Sequence, residues 1–122
     1  MILDINSEQD RLKIWQKANE VEGYDPSKYR KDCCGAWIAY AKYGDTSNPY
    51  GWEIDHVYPK VRGGDNHEEN LRPMNWLNNR SKGDDYPSYK SSVKADNNRN
   101  IQSEEIFTVN TTLQTIIRKI YD

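Results

Sequence analysis

"GWEIDHVYPKVRGGDNHEENLRPMNWLNNRSKGDD" runs from Gly51 to Asp85, and the rest of the chain is read outward from it. "WEIDHVYP" (52–59) is rich in β-formers and stops at Pro59, which predicts a strand. "KVRGGDNHEE" (60–69) predicts a surface loop with a Gly-Gly hinge, and "NLRPM" (70–74) a short extended piece. "NWLNNRSKG" (75–83) predicts a short helix that stops at Gly83, with Lys82 at the end where a cation is favoured. Both histidines of the chain fall inside this stretch, among more asparagines than an ordinary core would hold.

The polar residues of the stretch define a chemistry. The Asp55 carboxylate and the Asn79 amide oxygen are hard donors, suited to Mg²⁺, Mn²⁺ or Ca²⁺ with water or phosphate completing the sphere. A neutral imidazole at His56 can take a proton from water near neutral pH. A metal, a base and an anionic substrate together suit metal-assisted phosphodiester hydrolysis. Adjacent strand residues point to opposite faces, so Asp55 and His56 share a site only where the strand twists or ends, as it does before Pro59. Glu53 lies on the same face as Asp55 and reads either as an outer partner of the site or as an ordinary strand carboxylate. His67, among acids in the glycine loop, reads as solvated.

Residues 53–83 resemble the HNH nuclease motif of the ββα-metal group. The elements in register are Asp55-His56, Pro59, Gly63-Gly64, Asn70-Leu71, and Asn79 followed by Arg80, Ser81, Lys82 and Gly83. The upstream "YRKDCCGAWI" and "YGWEIDH" resemble a branch of the same family. The resemblance implies an α+β fold with a small ββα-metal (HNH) core flanked by N-terminal and C-terminal helices. It implies a metal-dependent endonuclease acting on DNA, with RNA left open. By position, His56 is the implied general base, and Asp55 and Asn79 hold one divalent metal, Mg or Mn. Asn70 is implied to pin the loop and help orient His56. Arg72, Arg80 and Lys82 are assigned to phosphates on their charge and position.

The chain departs from the family pattern in two places. Asn79 stands where many members have His, which weakens the ligand. Many members also carry a cysteine zinc knuckle. Here Asn75 and Asn78 occupy two of those cysteine positions, and Cys33 and Cys34 are the only thiols, so no structural zinc is expected. The two thiols read as buried small residues in a reducing compartment. The rival function is an HNH-fold nucleic-acid or protein binding module that cleaves poorly.

Outside the motif, Ser7 and Asp10 resemble a capping box, and Leu12, Trp15, Ala18 and Val21 recur at helical spacing, predicting a helix over 8–21. "WIAYAKYG" (37–44) favours a strand antiparallel to 52–59, with a helix as the alternative. The polar run 84–100 reads as a long arm or loop, "IFTV" (106–109) as a brief strand, and Asn110 as the cap of a helix over 110–121. The expected organisation is one domain over 1–122, with its HNH core at 37–83.

A length of 122 residues suits one modest core, and a mean hydropathy of -1.06 is offset by four Trp and nine Tyr, which bury much area each. Of the Trp residues, read mainly as core, Trp76 lies beside the proposed site. The net charge of -2 argues against a strongly basic nucleic-acid binder, so any footprint for a polyanion must be local. Lys28, Arg30, Lys31 and Lys42 face only Asp32 between positions 28 and 43. No signal peptide or bilayer-length apolar run is visible, which predicts a cytoplasmic protein with no membrane partner.

Overall fold

The computed structural model describes all residues from Met1 to Asp122. The chain is a mixed α+β structure of three helices and four two-stranded antiparallel sheets. Helix α1 (Glu8–Trp15) comes first, then strands β1 (Tyr29–Lys31) and β2 (Trp37–Ala39), which pair with each other. Strand β3 (Trp52–His56) pairs with β4 (Leu71–Asn75), and α2 (Trp76–Lys82) follows β4 without a break. Next come β5 (Ser88–Lys90), the hairpin β6 (Val93–Asp96) and β7 (Arg99–Gln102), and β8 (Ile106–Thr108), which returns to pair with β5. Helix α3 (Thr111–Tyr121) closes the chain. No helix is long and apolar enough to cross a membrane.

Helix α1 is shorter than the sequence pattern predicts. Ser7 caps it, accepting from the Asp10 amide, but the Asp10 carboxylate turns to the Asp4 amide instead of completing a capping box. Beyond Gln16 the backbone turns away, and Asn19 forms a bridge with Lys31, so Ala18 and Val21 leave the helix. The apolar spacing there reflects packing of a loop against the core: Ala18 touches the cluster of Trp15, Ile38 and Trp52.

Strand β3 forms no antiparallel ladder with 37–43; Trp52 makes only an isolated parallel bridge with Tyr43. Its antiparallel partner is β4, with Trp52 opposite Asn75 and His56 opposite Leu71. Strand β2 ends at Ala39 and passes into a short 3-10 turn over Tyr40–Lys42, so both alternatives read for 37–44 hold in part. The polar segment after Gly83 is ordered into β5, β6 and β7, with Asn97 in the left-handed region (φ 55) at the hairpin turn. Side-chain amides stitch it in place: Asn100 Oδ1 accepts from the Trp37 amide, and Asn100 Nδ2 donates to the carbonyls of Trp37 and Pro49.

Three apolar clusters make the interior. Leu3, Ile14 and Leu71 fix the N-terminal segment to β4. Trp15, Ile38 and Trp52 join α1, β2 and β3, with Trp15 and Trp52 ring centroids 5.3 Å apart. Cys34, Val57, Met74, Tyr89, Val109 and Ile117 join β4, β5 and α3. The two cysteines differ, contrary to the expectation that both are buried: Cys34 is in the core, whereas Cys33 is exposed, with its Sγ 3.5 Å from the Tyr89 hydroxyl.

Candidate functional site

Four of the residues singled out in the sequence meet at one cleft. Asp55, His56, Asn79 and Arg80 line a depression of about 240 Å³ together with Lys60 and Asp84. A neighbouring cleft of about 270 Å³ shares His56 and Asn79 and adds Glu53 and Tyr43. Asp55 and His56 both reach the first cleft because β3 ends at His56, where its alternation stops.

Asp55 is almost completely buried, 3% exposed, and is held by two cations. Arg72 faces it directly across the β3–β4 ladder and donates from Nε to Oδ2 at 2.9 Å. Lys82, from the last turn of α2, places Nζ 3.2 Å from Oδ1 and also donates to the carbonyls of His56 and Val57. This corrects the assignment of Lys82 and Arg72 to phosphates. Lys82 is 1% exposed and its ammonium is turned inward, because the helix end and the strand end leave a buried carboxylate that needs a partner. Arg72 is likewise committed to Asp55, with its Nη2 buried and unpartnered and its guanidinium 5.3 Å from the centre of the Tyr89 ring. The cations open to the cleft are Arg80 and Lys60.

His56 is oriented by a residue the sequence reading missed. Its Nε2 lies 2.8 Å from Oδ1 of Asn66. An amide oxygen only accepts, so Nε2 carries the proton and Nδ1 of a neutral ring keeps its lone pair. The backbone of Asn66 is tied down in turn: its carbonyl accepts from the Leu3 amide at 2.8 Å. Its only mark in the sequence was its place after the Gly-Gly pair.

Asn70 does a different job from the one assigned in part to it. It is fully buried and makes no hydrogen bond to the His56 ring. Its Oδ1 accepts from the Tyr58 amide at 2.7 Å, and its Nδ2 donates to the carbonyls of Tyr58 and Asp65. One side chain thus closes the loop between β3 and β4 as a strand neighbour would. Gly64 is required at this closure, since a Cβ there would overlap the Tyr58 carbonyl oxygen, and Gly63 adopts φ +111.

Asn79 donates from Nδ2 to Glu53 Oε1 at 3.1 Å, which leaves its amide oxygen without a protein partner. Arg80 donates to the other Glu53 oxygen at 3.2 Å, and its guanidinium sits 5.5 Å from the centre of the Trp76 ring. Glu53 therefore orients both α2 residues. His67 caps a short 3-10 turn, its Nδ1 accepting from the Glu69 amide.

Asn75 and Asn78, which the resemblance aligns with zinc-knuckle cysteines, converge on buried Asp32. Asp32 Oδ1 accepts from the amides of Cys34 and Ala36, and Oδ2 accepts from the Asn75 amide and from Asn78 Nδ2, at 2.9 to 3.1 Å. Burial pushes this carboxyl's pKa up, but the four donors fill the lone-pair directions of an ionised carboxylate, which is the form the cage fits. No group of three or more His, Cys, Asp or Glu side chains is placed to hold a metal ion.

Comparison of the chain with models of known families, with curated proteins and with solved structures found no match.

Proposed function

We propose that the chain is a metal-dependent endonuclease that hydrolyses DNA phosphodiester bonds, with β3, β4 and α2 forming an HNH-type ββα-metal unit. The observation that carries this reading is the meeting of Asp55, His56 and Asn79 on one cleft, with the His56 ring turned by Asn66 so that Nδ1 is free to act as a base. The donor set fits a hard divalent cation: a carboxylate from the strand end and the free amide oxygen of Asn79 from the helix. Asp55 and Asn79 would hold Mg²⁺ or Mn²⁺, which when bound stabilises the charge that builds on the phosphate. His56 Nδ1 takes the proton of the attacking water. Arg80 and Lys60 hold the substrate's phosphates at the cleft mouth, while Lys82 and Arg72 hold the Asp55 carboxylate in place.

One observation favours a weakly cleaving binding module. Both Asp55 oxygens already face cations, which opposes a third positive charge and lowers metal affinity. Incubation of the full chain with supercoiled plasmid in Mg²⁺, Mn²⁺ or EDTA separates the two. The nuclease cleaves in metal only, and His56→Ala lowers the rate by roughly 100- to 10,000-fold, the usual cost of losing a general base. Equal cleavage by wild type and His56→Ala ends the catalytic assignment. Retained DNA binding with no cleavage in any metal selects the module.

A further inference from the structure

Two further clefts lie away from the Asp55 site and meet each other. One, of about 370 Å³, runs along Lys28, Tyr29, Tyr40 and Lys42, and the other, of about 310 Å³, is lined by Tyr24, Trp37 and Asn98. Tyr29 and Tyr50 line both, so the two form one aromatic trough over the β1–β2 sheet. The trough differs from the buried aromatic core beneath it. Tyr29 is 45% exposed and Tyr24 42%, with the Tyr24 ring resting on Trp37 at 4.6 Å between centroids.

Charge selects the occupant. No carboxylate lines either cleft, while Lys28 and Lys42 stand on the wall of the larger one. Lys31 adds an ammonium 5.0 Å from the centre of the Trp37 ring. Asp32, the one acid among these cations in the sequence, is buried in its own hydrogen-bond cage and lines neither cleft. Aromatic faces interleaved with lysines match flat, apolar rings carried on an anionic backbone. A duplex hides its base faces, whereas an unpaired strand presents them for stacking.

We infer that this trough binds unpaired nucleotides of a single-stranded nucleic acid, with bases stacked on Tyr29 and its aromatic neighbours and phosphates held by Lys28 and Lys42. Each cleft reaches the lower end of the roughly 300–1,000 Å³ span of small-ligand sites, room for one base with its sugar. Lys42 is followed directly by Tyr43, which lines the cleft containing His56 and Asn79. The strand's onward path to that cleft rests on the nuclease reading, whereas binding in the trough does not.

The test uses the full chain in EDTA, so that cleavage plays no part. Fluorescein-labelled oligo(dT), oligo(U) and a hairpin duplex of equal nucleotide count are titrated and followed by anisotropy. Tighter binding of either single strand than of the duplex is expected. Tyr29→Ala weakens it about tenfold, within the range for one stacked base, and Tyr29→Phe restores it. Lys28→Gln with Lys42→Gln lowers the salt slope for single strands by about 1.4, the share of two phosphates. Thermal unfolding of each variant is measured beside binding, and the exposed position of Tyr29 predicts no loss. Equal affinity for duplex and single strand, or a Tyr29→Ala variant that folds and binds as wild type does, overturns the inference. So does concentration-dependent self-association abolished by Tyr29→Ala, which would make the trough an interface between copies. His56→Ala keeps single-strand binding, so loss of cleavage alone leaves the trough standing.

Discussion

His56 and Asn66 are separated by the whole Gly-Gly loop, yet the orientation of the imidazole depends on their contact. In the proposed reaction Asn66 is a positioning residue: it touches no reacting atom and fixes which nitrogen holds the proton. Asn66→Ala is expected to slow cleavage by roughly 10- to 100-fold, as loss of other orienting partners of histidine does. Asn66→Asp offers a charged acceptor, which favours the imidazolium and moves the acidic limb of the pH–rate profile upward. A purely structural role would lower activity at every pH and leave that limb in place. The same loop is tied to α3 by Tyr121, whose hydroxyl donates to Asp65 Oδ1 at 2.6 Å. Burial, helped by this hydrogen bond, pushes the Tyr121 phenol up to about 12 from its usual 10.0. A raised folded-state value means that the tie is intact below pH 10 and is lost as pH climbs through about 12. Tyrosinate absorbance should show this late-titrating group in wild type and lack it in Tyr121→Phe, and an unchanged titration in the variant would refute the tie.

At the scale of elements, the β3–loop–β4–α2 order was legible, because β-formers, Pro59, Gly63-Gly64 and Gly83 are local signals of strand, turn and helix end. The turning of Asp55 toward two cations was not. Arg72 and Lys82 are 17 and 27 positions from it, and only the strand register and the helix placement bring them together. A basic residue beside a motif looks the same in sequence whether it faces a phosphate or a buried carboxylate. The asparagines were opaque for a related reason. Asn70, Asn75, Asn78 and Asn100 each pair with backbone groups far away in sequence, so hydropathy marks as loop what amide pairing builds into structure. The polar segment 84–100, expected as a long arm or loop, is ordered into strands on that account. The cage around Asp32 gives this a measurable form. Asp32→Asn puts amide hydrogens against N–H donors and should destabilise the fold by about 2–4 kcal/mol, read as a shift in the denaturation midpoint. Lys82→Met removes one of the two cations on buried Asp55, leaving Arg72 on the other oxygen, and should cost about 1.5–3 kcal/mol. A Lys82→Met midpoint near that of wild type would mean that Lys82 is not the internal partner of Asp55.

Across the whole molecule, the three apolar clusters and the Asp32 cage divide the work of holding a small, polar chain together. The clusters fasten α1, the β3–β4 pair and α3 to one another, and the cage locks the turn before β2 to the start of α2. A small chain with a modest core often relies on a structural metal at such a junction. Here the junction is occupied by Asp32, Asn75 and Asn78, which hydrogen-bond to one another. The proposed divalent cation belongs instead to the open cleft at Asp55 and Asn79, where its removal leaves packing and backbone pairing untouched. Stability and activity should therefore respond differently to chelation. EDTA is expected to abolish plasmid cleavage while leaving the thermal unfolding midpoint where it was, apart from the small stabilisation that any bound ion confers by mass action. Adding back Mg²⁺ or Mn²⁺ should restore cleavage without a refolding step, and Asp55→Asn should need more metal for the same rate. Collapse of the midpoint in EDTA, or its rescue by Zn²⁺ alone, would place a metal in the architecture and refute this division between the cage and the cleft.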